Sequence, residues 1–186
     1  GRALALRWAC EGARIALLDF EADHLGEAAE ALCKAGAEVF PVVADDTDYA
    51  GCKRAVEAVS GHFGRIDVLV NNAGTVQRSA FVDTDIEVYR KVMEVNFFGS
   101  LNCSKAALPH LLETRGLIDV ISSIAGIAPL YARTGYAASK HALHGLFDSA
   151  RTELQERGVR VMLVCPNFTR SHFEQRAMGA DGRPAG

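Results

Sequence analysis

Ile66-Asp67-Val68-Leu69-Val70-Asn71-Asn72-Ala73-Gly74 begins as a short apolar run and stops abruptly in a turn-forming tetrapeptide. A run this short, rich in branched aliphatic residues and without polar alternation, fits a strand buried on both faces rather than a helix. Comparable runs lie on either side: Ile15 to Leu18 and Val39 to Ala44 upstream, Leu117 to Ile121 and Val159 to Cys165 downstream. Amphipathic stretches of helical length separate them. This alternation predicts βαβ units and an α/β fold, a doubly wound parallel sheet with helices on both faces. No boundary, repeat or low-complexity tract divides residues 1–186, so a single domain is expected.

Pro41 lacks the N–H that an inner strand needs, which puts its run at a sheet edge. In the doubly wound order 3-2-1-4-5-6 the third strand lies at an edge. The Pro41 run takes that place if a first strand precedes Gly1. The chain also opens inside an element, with Leu4 and Trp8 on one helical face and Gly12 as a stop. From Ser171 to Gly186, Gly179, Gly182, Pro184 and little periodicity predict a loop or an unfinished element.

Open α/β sheets bind ligands outside the carboxyl ends of their strands. The residues just past each run are therefore the informative ones: Asp19; Asp45 and Asp46; Asn71 to Gly74; Ser122 and Ser123; Pro166 and Asn167. Together they predict one crevice along one sheet edge.

Composition narrows the function classes. A chain of 186 residues with 49% hydrophobic and 23% charged residues can bury a core, and a net charge of −3 gives no basic field for nucleic acid or an anionic membrane. Small molecules are the expected partners. No apolar run approaches the roughly 20 residues that span a bilayer, and no charged-then-apolar leader opens the chain, so a cytoplasmic location is expected. The five cysteines form no C-x-x-C pair and read as reduced core thiols. His141 and His144 sit at helical spacing with no third ligand in pattern, so no metal site is expected.

Tyr136-Ala137-Ala138-Ser139-Lys140 opens a predicted helix running to about Arg157, with Leu143, Leu146, Phe147, Ala150 and Leu154 as its buried stripe. A spacing of four puts phenol and ammonium on one face. A free phenol, ionising near pH ~10, is a poor base at neutral pH, and a cation held beside it stabilises the phenolate. Such a pair can exchange a proton with an alcohol or carbonyl oxygen. The spacing alone occurs on many surface helices, so its surroundings decide.

Those surroundings resemble the short-chain dehydrogenase/reductase family. The matching stretches are LLD ending at Asp19, LVNNAG at Leu69 to Gly74, VNFFGS from Val95, ISSIAG from Ile121, YAASK from Tyr136 and VCPNFTRS from Val164, in the family's order over nearly the whole chain. The resemblance implies an NAD-dependent oxidoreductase acting on a secondary alcohol or ketone. It implies acid/base work for Tyr136, and for Lys140 both tuning of the tyrosine and a bond to the nicotinamide ribose. Ser123 would hold the substrate oxygen, with Ser122 its neighbour that does not reach it, and Asn96 would support a water relay to the lysine. For the cofactor it implies Gly1 as the last glycine of a phosphate-binding turn and Asp19 at the ribose 2′-hydroxyl, where a carboxylate repels a 2′-phosphate and favours NAD over NADP. Asp45 would reach the adenine, with Asp46 beside it in the cofactor-binding set, Asn71, Ala73 and Gly74 would lie at the adenosine ribose, and Pro166, Thr169 and Ser171 at the nicotinamide. Tyr131, Arg133 and Phe173 would flank the substrate mouth. Dimers or tetramers built on the helices bearing Asn96 and Tyr136 are also implied.

Two positions and one missing part depart from the family pattern. Asp46 replaces a small apolar residue, and Asn167 replaces a glycine at a site often in the left-handed region. The first strand and most of the glycine-rich turn are expected to lie outside the sequence, which predicts weak NADH binding by the chain as written. Two other readings stay open at this point: a sugar-nucleotide epimerase or dehydratase using the same Y-x-x-x-K pair, and a cofactor-sensing protein that kept the fold without turnover.

Overall fold

The computed structural model describes residues 1–169 and 176–185. Its strands are β1 (Ile15–Asp19), β2 (Val39–Val43), β3 (Val68–Asn71), β4 (Leu117–Ile121) and β5 (Arg160–Val164). The intervening helices are α1 (Arg2–Cys10), α2 (Ala22–Lys34), α3 (Tyr49–Phe63), α4 (Ile86–Met93), α5 (Ser100–Thr114) and α6 (Thr134–Gln155). All strand pairs are parallel, β1 with β2 and β3 with β4 with β5, as the βαβ reading requires. Among the described residues β2 has β1 alone as partner, and Pro41 stands opposite Leu17 in that pair, in keeping with its missing donor.

The helices form where periodicity and caps agree. On α3, Cys52, Ala55, Val56 and Val59 make the buried stripe, the Asp48 carboxylate accepts the Ala50 N–H at 3.0 Å, and Gly64 closes the helix at φ 77°. The α6 stripe holds Leu143 and Phe147, and the helix begins two residues before Tyr136. Alternate residues of a strand share a face, so Ile118 and Val120 of β4 join Val161 of β5 against Val56, Ala107, Leu111, Leu143 and Phe147 from the three long helices. The other face of this sheet is less covered, with Val68, Met162 and Val164 39%, 43% and 36% exposed.

Some expectations need correction. Cys10 and Cys33 are exposed rather than core thiols, because each stands off the apolar stripe of its helix, and among the described residues all five cysteines are free. Asn167 does not adopt the left-handed backbone expected of a glycine replacement. Its side-chain oxygen instead accepts the Phe168 N–H at 2.8 Å, and among the described residues the left-handed non-glycine ones are Arg115 and Ala132. No described helix is long and apolar enough to cross a membrane.

Candidate active site

The registers set the site. Asp19 pairs with Val43, Asn71 with Val120, and Ile121 with Val164, so within each sheet the strands end level and their exits share one edge. Helix α6 then delivers Tyr136 and Lys140 to the β4 exit. Both are buried, at 8% and 4% exposure, and the Lys140 ammonium lies 5.7 Å from the Tyr136 ring centroid. Lys140 Nζ donates to the Ile121 carbonyl at 2.8 Å. Burial pushes the Lys140 pKa down to about 8, which leaves the ammonium charged at neutral pH.

Ser123 begins the 3₁₀ turn Ile124–Gly126 in extended backbone, and its Oγ accepts the Ala125 N–H at 3.1 Å. Ala125 and Tyr136 belong to one buried cluster with Val76 and Ala177, so the serine's turn packs against the tyrosine's helix.

Asn96 lies in a π-helical turn, Glu94–Gly99, that joins α4 to α5. Such turns widen a helix by one residue and recur at functional sites. The Asn96 side chain is 0% exposed and makes three bonds. Its oxygen accepts the Thr75 N–H at 2.7 Å, and its nitrogen donates to the Thr75 carbonyl at 2.9 Å and to Ser139 Oγ at 2.8 Å. These bonds clamp the β3 exit onto the helix that carries Tyr136. Gly74 sits in the same corner: a Cβ there would stand 3.2 Å from Asn96 Oδ1 and 3.8 Å from Lys140 Nζ.

Gln77 is a member of this corner that sequence reasoning missed. It is fully buried, its Oε1 accepts the Tyr136 N–H at 3.2 Å, and its Nε2 donates to the Ser79 carbonyl at 3.2 Å. The first-turn N–H groups of a helix lack partners within the helix, and the residue preceding α6 provides no side-chain cap. A loop glutamine serves instead, at the position of Tyr136 itself. No spacing or composition singles out a glutamine two residues past Thr75.

The acids occupy the neighbouring exits. Asp19 is exposed, with Oδ1 accepting the Glu21 N–H at 3.0 Å. Asp45, also exposed, accepts from Thr47 N and Thr47 Oγ1 at 2.9 and 2.7 Å, which folds its own loop. Asp46 turns inward against Gly99, where a Cβ would come within 2.5 Å of its Oδ2. Burial, reinforced by Asp45, raises the Asp46 pKa to about 6. Asn102 of α5 donates to the Asp46 carbonyl at 2.9 Å and fixes this loop. A recess of about 360 Å³ opens beside it, lined by Phe20, Val43, Asp45, Asp48 and Arg54 among others.

The remaining expected residues are more dispersed. Asn71 directs its amide into the fold, donating to Ser104 Oγ at 2.9 Å, while Ala73 is exposed. Gly1 lies at the β3 exit, its nitrogen donating to Asn72 Oδ1 at 2.9 Å. The Pro166 carbonyl accepts the Ile124 N–H at 3.2 Å, and Thr169 Oγ1 donates to the Asn167 carbonyl at 2.9 Å. Ser171 and Phe173 lie outside the described residues. Among the described residues no group of three or more His, Cys, Asp or Glu side chains is disposed to hold a metal ion.

Comparison with known proteins bears on the family and the fold. The family model described as short chain dehydrogenase matches residues 1–180. Dehydrogenase/reductase SDR family member 7 of Homo sapiens is 42% identical over 139 residues, which is 74% of this chain and 41% of the relative. Member 7B of Bos taurus is 35% identical over an alignment covering 100% of this chain and 59% of its own length. The chain thus spans about half the length of these curated relatives. Among solved structures, an alcohol dehydrogenase from the archaeon Thermococcus sibiricus, complexed with 5-hydroxy-NADP, superposes with a TM-score of 0.88 at 27% identity, covering 100% of this chain and 76% of that one.

Proposed function

The chain belongs to the short chain dehydrogenase family, and from that membership we propose that it transfers a hydride between NAD(H) and a secondary alcohol or ketone, with Tyr136 exchanging the hydroxyl proton. The observation that carries this reading is the buried Lys140 ammonium 5.7 Å from the Tyr136 ring. In that dry corner a cation favours phenolate far more than it would in water. Tyr136 gives its proton to the carbonyl oxygen in reduction and takes it from the hydroxyl in oxidation. Ser123 Oγ already accepts from Ala125, which leaves its O–H to donate to the substrate oxygen as negative charge develops there. Asn96 acts here through the backbone it holds, and any water relay to Lys140 would start from that clamp.

The residues present fit a nicotinamide cofactor. The bare Gly74 leaves open the space beside Lys140 that a Cβ would fill, the site for the ribose. When bound, the nicotinamide supplies or accepts the hydride. Asp19 would take the adenosine ribose hydroxyls, and its exposed carboxylate opposes a 2′-phosphate, which favours NAD. Asp45, Asp46 and the recess beside them would receive the adenine, with Asn71, Ala73 and Gly1 along its path. Pro166, Thr169 and Ser171 would flank the nicotinamide. Assembly as a dimer or tetramer through α5 and α6 belongs to the same reading, and free thiols agree with a reducing, cytoplasmic setting.

Tyr136→Phe tests the proposal by deleting one oxygen atom. In the full-length protein, with a panel of ketones and NADH, turnover should fall by about 10³-fold while NADH affinity, read by fluorescence titration, stays within about twofold. Retained turnover overturns the assignment. NADH binding without turnover of any ketone by the unaltered full-length protein would favour the cofactor-sensing alternative.

A further inference from the structure

His144 stands one helical turn beyond Lys140 on α6, and its Nε2 meets both strand exits of the site. Ser122 Oγ is 3.0 Å away and Cys165 Sγ 3.6 Å. These are the first residues past β4 and past β5. On the other side of the ring, Nδ1 lies 3.8 Å from Asp148 Oδ2. The tautomer sets the direction of the bond: with the proton on Nδ1, on the side of the carboxylate, Nε2 accepts from the Ser122 hydroxyl.

The imidazole has its place because Gly126 has no side chain. A Cβ on Gly126 would stand 2.8 Å from Ser122 Oγ, 2.9 Å from His144 Cδ2 and 3.0 Å from His144 Nε2. Backbone bonds reinforce the same junction: Ser122 N donates to the Val164 carbonyl at 2.8 Å and Ile124 N to the Pro166 carbonyl at 3.2 Å. The two exits are thus tied to each other by main chain and to α6 by one ring nitrogen.

A Ser–His–Asp succession can also be nucleophilic. Here Ser122 is only 3% exposed, with its oxygen enclosed by His144 and Gly126, so no carbonyl carbon can approach it.

We propose that His144 is a positioning residue: by bracing Ser122 and Cys165 it holds Ser123 and the segment from Pro166 to Thr169 in register with Tyr136 and Lys140. The proposal rests on the oxidoreductase reading above. Its physical basis is that Ser122 and Ser123 share a peptide bond, so rotation of the first displaces the hydroxyl of the second. A misplacement of about 1 Å at a reacting group can cost on the order of 10²-fold in rate.

Three variants of the full-length protein test the brace: His144→Leu, His144→Gln, whose amide can still accept from Ser122, and Ser122→Ala, which removes the same bond with minimal change in packing. The leucine variant should lose about tenfold in kcat with NADH affinity within about threefold, because the adenosine edge is untouched. Glutamine should recover most of that loss, and adding Ser122→Ala to His144→Leu should cost little more. Hydrogen exchange across residues 121–126 should quicken by about tenfold in the leucine and alanine variants, with β3 unchanged. Unchanged exchange in both, or a loss of kcat that glutamine does not recover, overturns the proposal. Absence of turnover in the unaltered protein overturns the oxidoreductase reading instead, while exchange still decides whether the brace exists.

Discussion

Asn96, Gln77 and Ser139 are 0% exposed and Lys140 is 4% exposed, whereas Asp19 and Asp45 stand exposed on the neighbouring strand exits. Around Tyr136 the protein supplies nearly every partner from its own side chains and backbone. Along the β1 and β2 exits it supplies carboxylates that face solvent and are held by short local bonds. The difference follows from the work each region is read to do. Proton transfer depends on groups held at fixed positions in a dry site, where charges act strongly. Choosing between a hydroxyl and a phosphate needs only one charge of the right sign at the surface.

Substitutions in the two regions should therefore differ in kind. The largest effect is expected at Asn96→Leu, which strands the Thr75 N–H and the other two partners of the clamp. Buried unsatisfied groups cost about 1–3 kcal/mol each, so a loss of about 3–5 kcal/mol is expected. In a chain of this size that lowers Tm by on the order of 10 °C, measurable by calorimetry. A fall below about 2 °C would break the contrast between the regions.

Gln77→Leu comes next. Loss of the acceptor for the Tyr136 N–H should cost about 1–3 kcal/mol in urea unfolding and roughly tenfold in kcat, since the frayed residue is the one proposed to exchange the proton. Normal kcat together with reduced stability would make Gln77 a structural cap alone.

Asp46 belongs to the acid edge but is half-buried, and it sharpens the comparison. Its folded pKa of about 6 exceeds the ordinary 3.8, so the fold binds its proton more tightly than the unfolded chain does. Its contribution to stability is full below about pH 4 and is lost as pH rises through about 6. Asp46→Asn should accordingly stabilise by on the order of 1 kcal/mol at pH 7, after discounting for partial solvation, and by almost nothing at pH 4. Urea melts at both pH values check this, and an equal gain at both would remove the ionisation account.

Asp19→Ala should leave Tm within about 1 °C, because the residue is exposed and makes one local bond. Its effect should appear in cofactor choice, with kcat/KM for NADPH relative to NADH rising by about tenfold, equivalent to roughly 1.4 kcal/mol. An unchanged ratio would mean that this carboxylate does not read the ribose.

Legibility in the sequence followed the same division. The strand runs and their exits could be read because period is a local property, whereas Tyr136, Lys140 and Ser123 were singled out as a set by resemblance to the family's motifs. The edge position of the Pro41 strand could be read because a missing N–H is local too. Gln77 could not, because its importance comes from a helix 59 residues away whose first turn lacks a cap. Asn96 was found by resemblance, but its grip on Thr75 and Ser139 depends on a widened helical turn that no apolar period announces. At Asn167 the expectation of a left-handed backbone failed because an asparagine can close its turn with its own side chain.

That widened turn links the two regions. Residues 86–114 form one helical path, and an α-helix advances about 100° per residue, so the extra residue at Glu94–Gly99 offsets α5 from α4 by about that angle. Within the turn the path carries Asn96 to the tyrosine's helix. After it, the path carries Asn102 to the Asp46 loop and Ser104 to Asn71. The turn works as a phase shifter, letting a single rod address two walls of one crevice. Deleting one residue within it would rotate every contact of α5 together, an error that no side-chain substitution downstream could compensate.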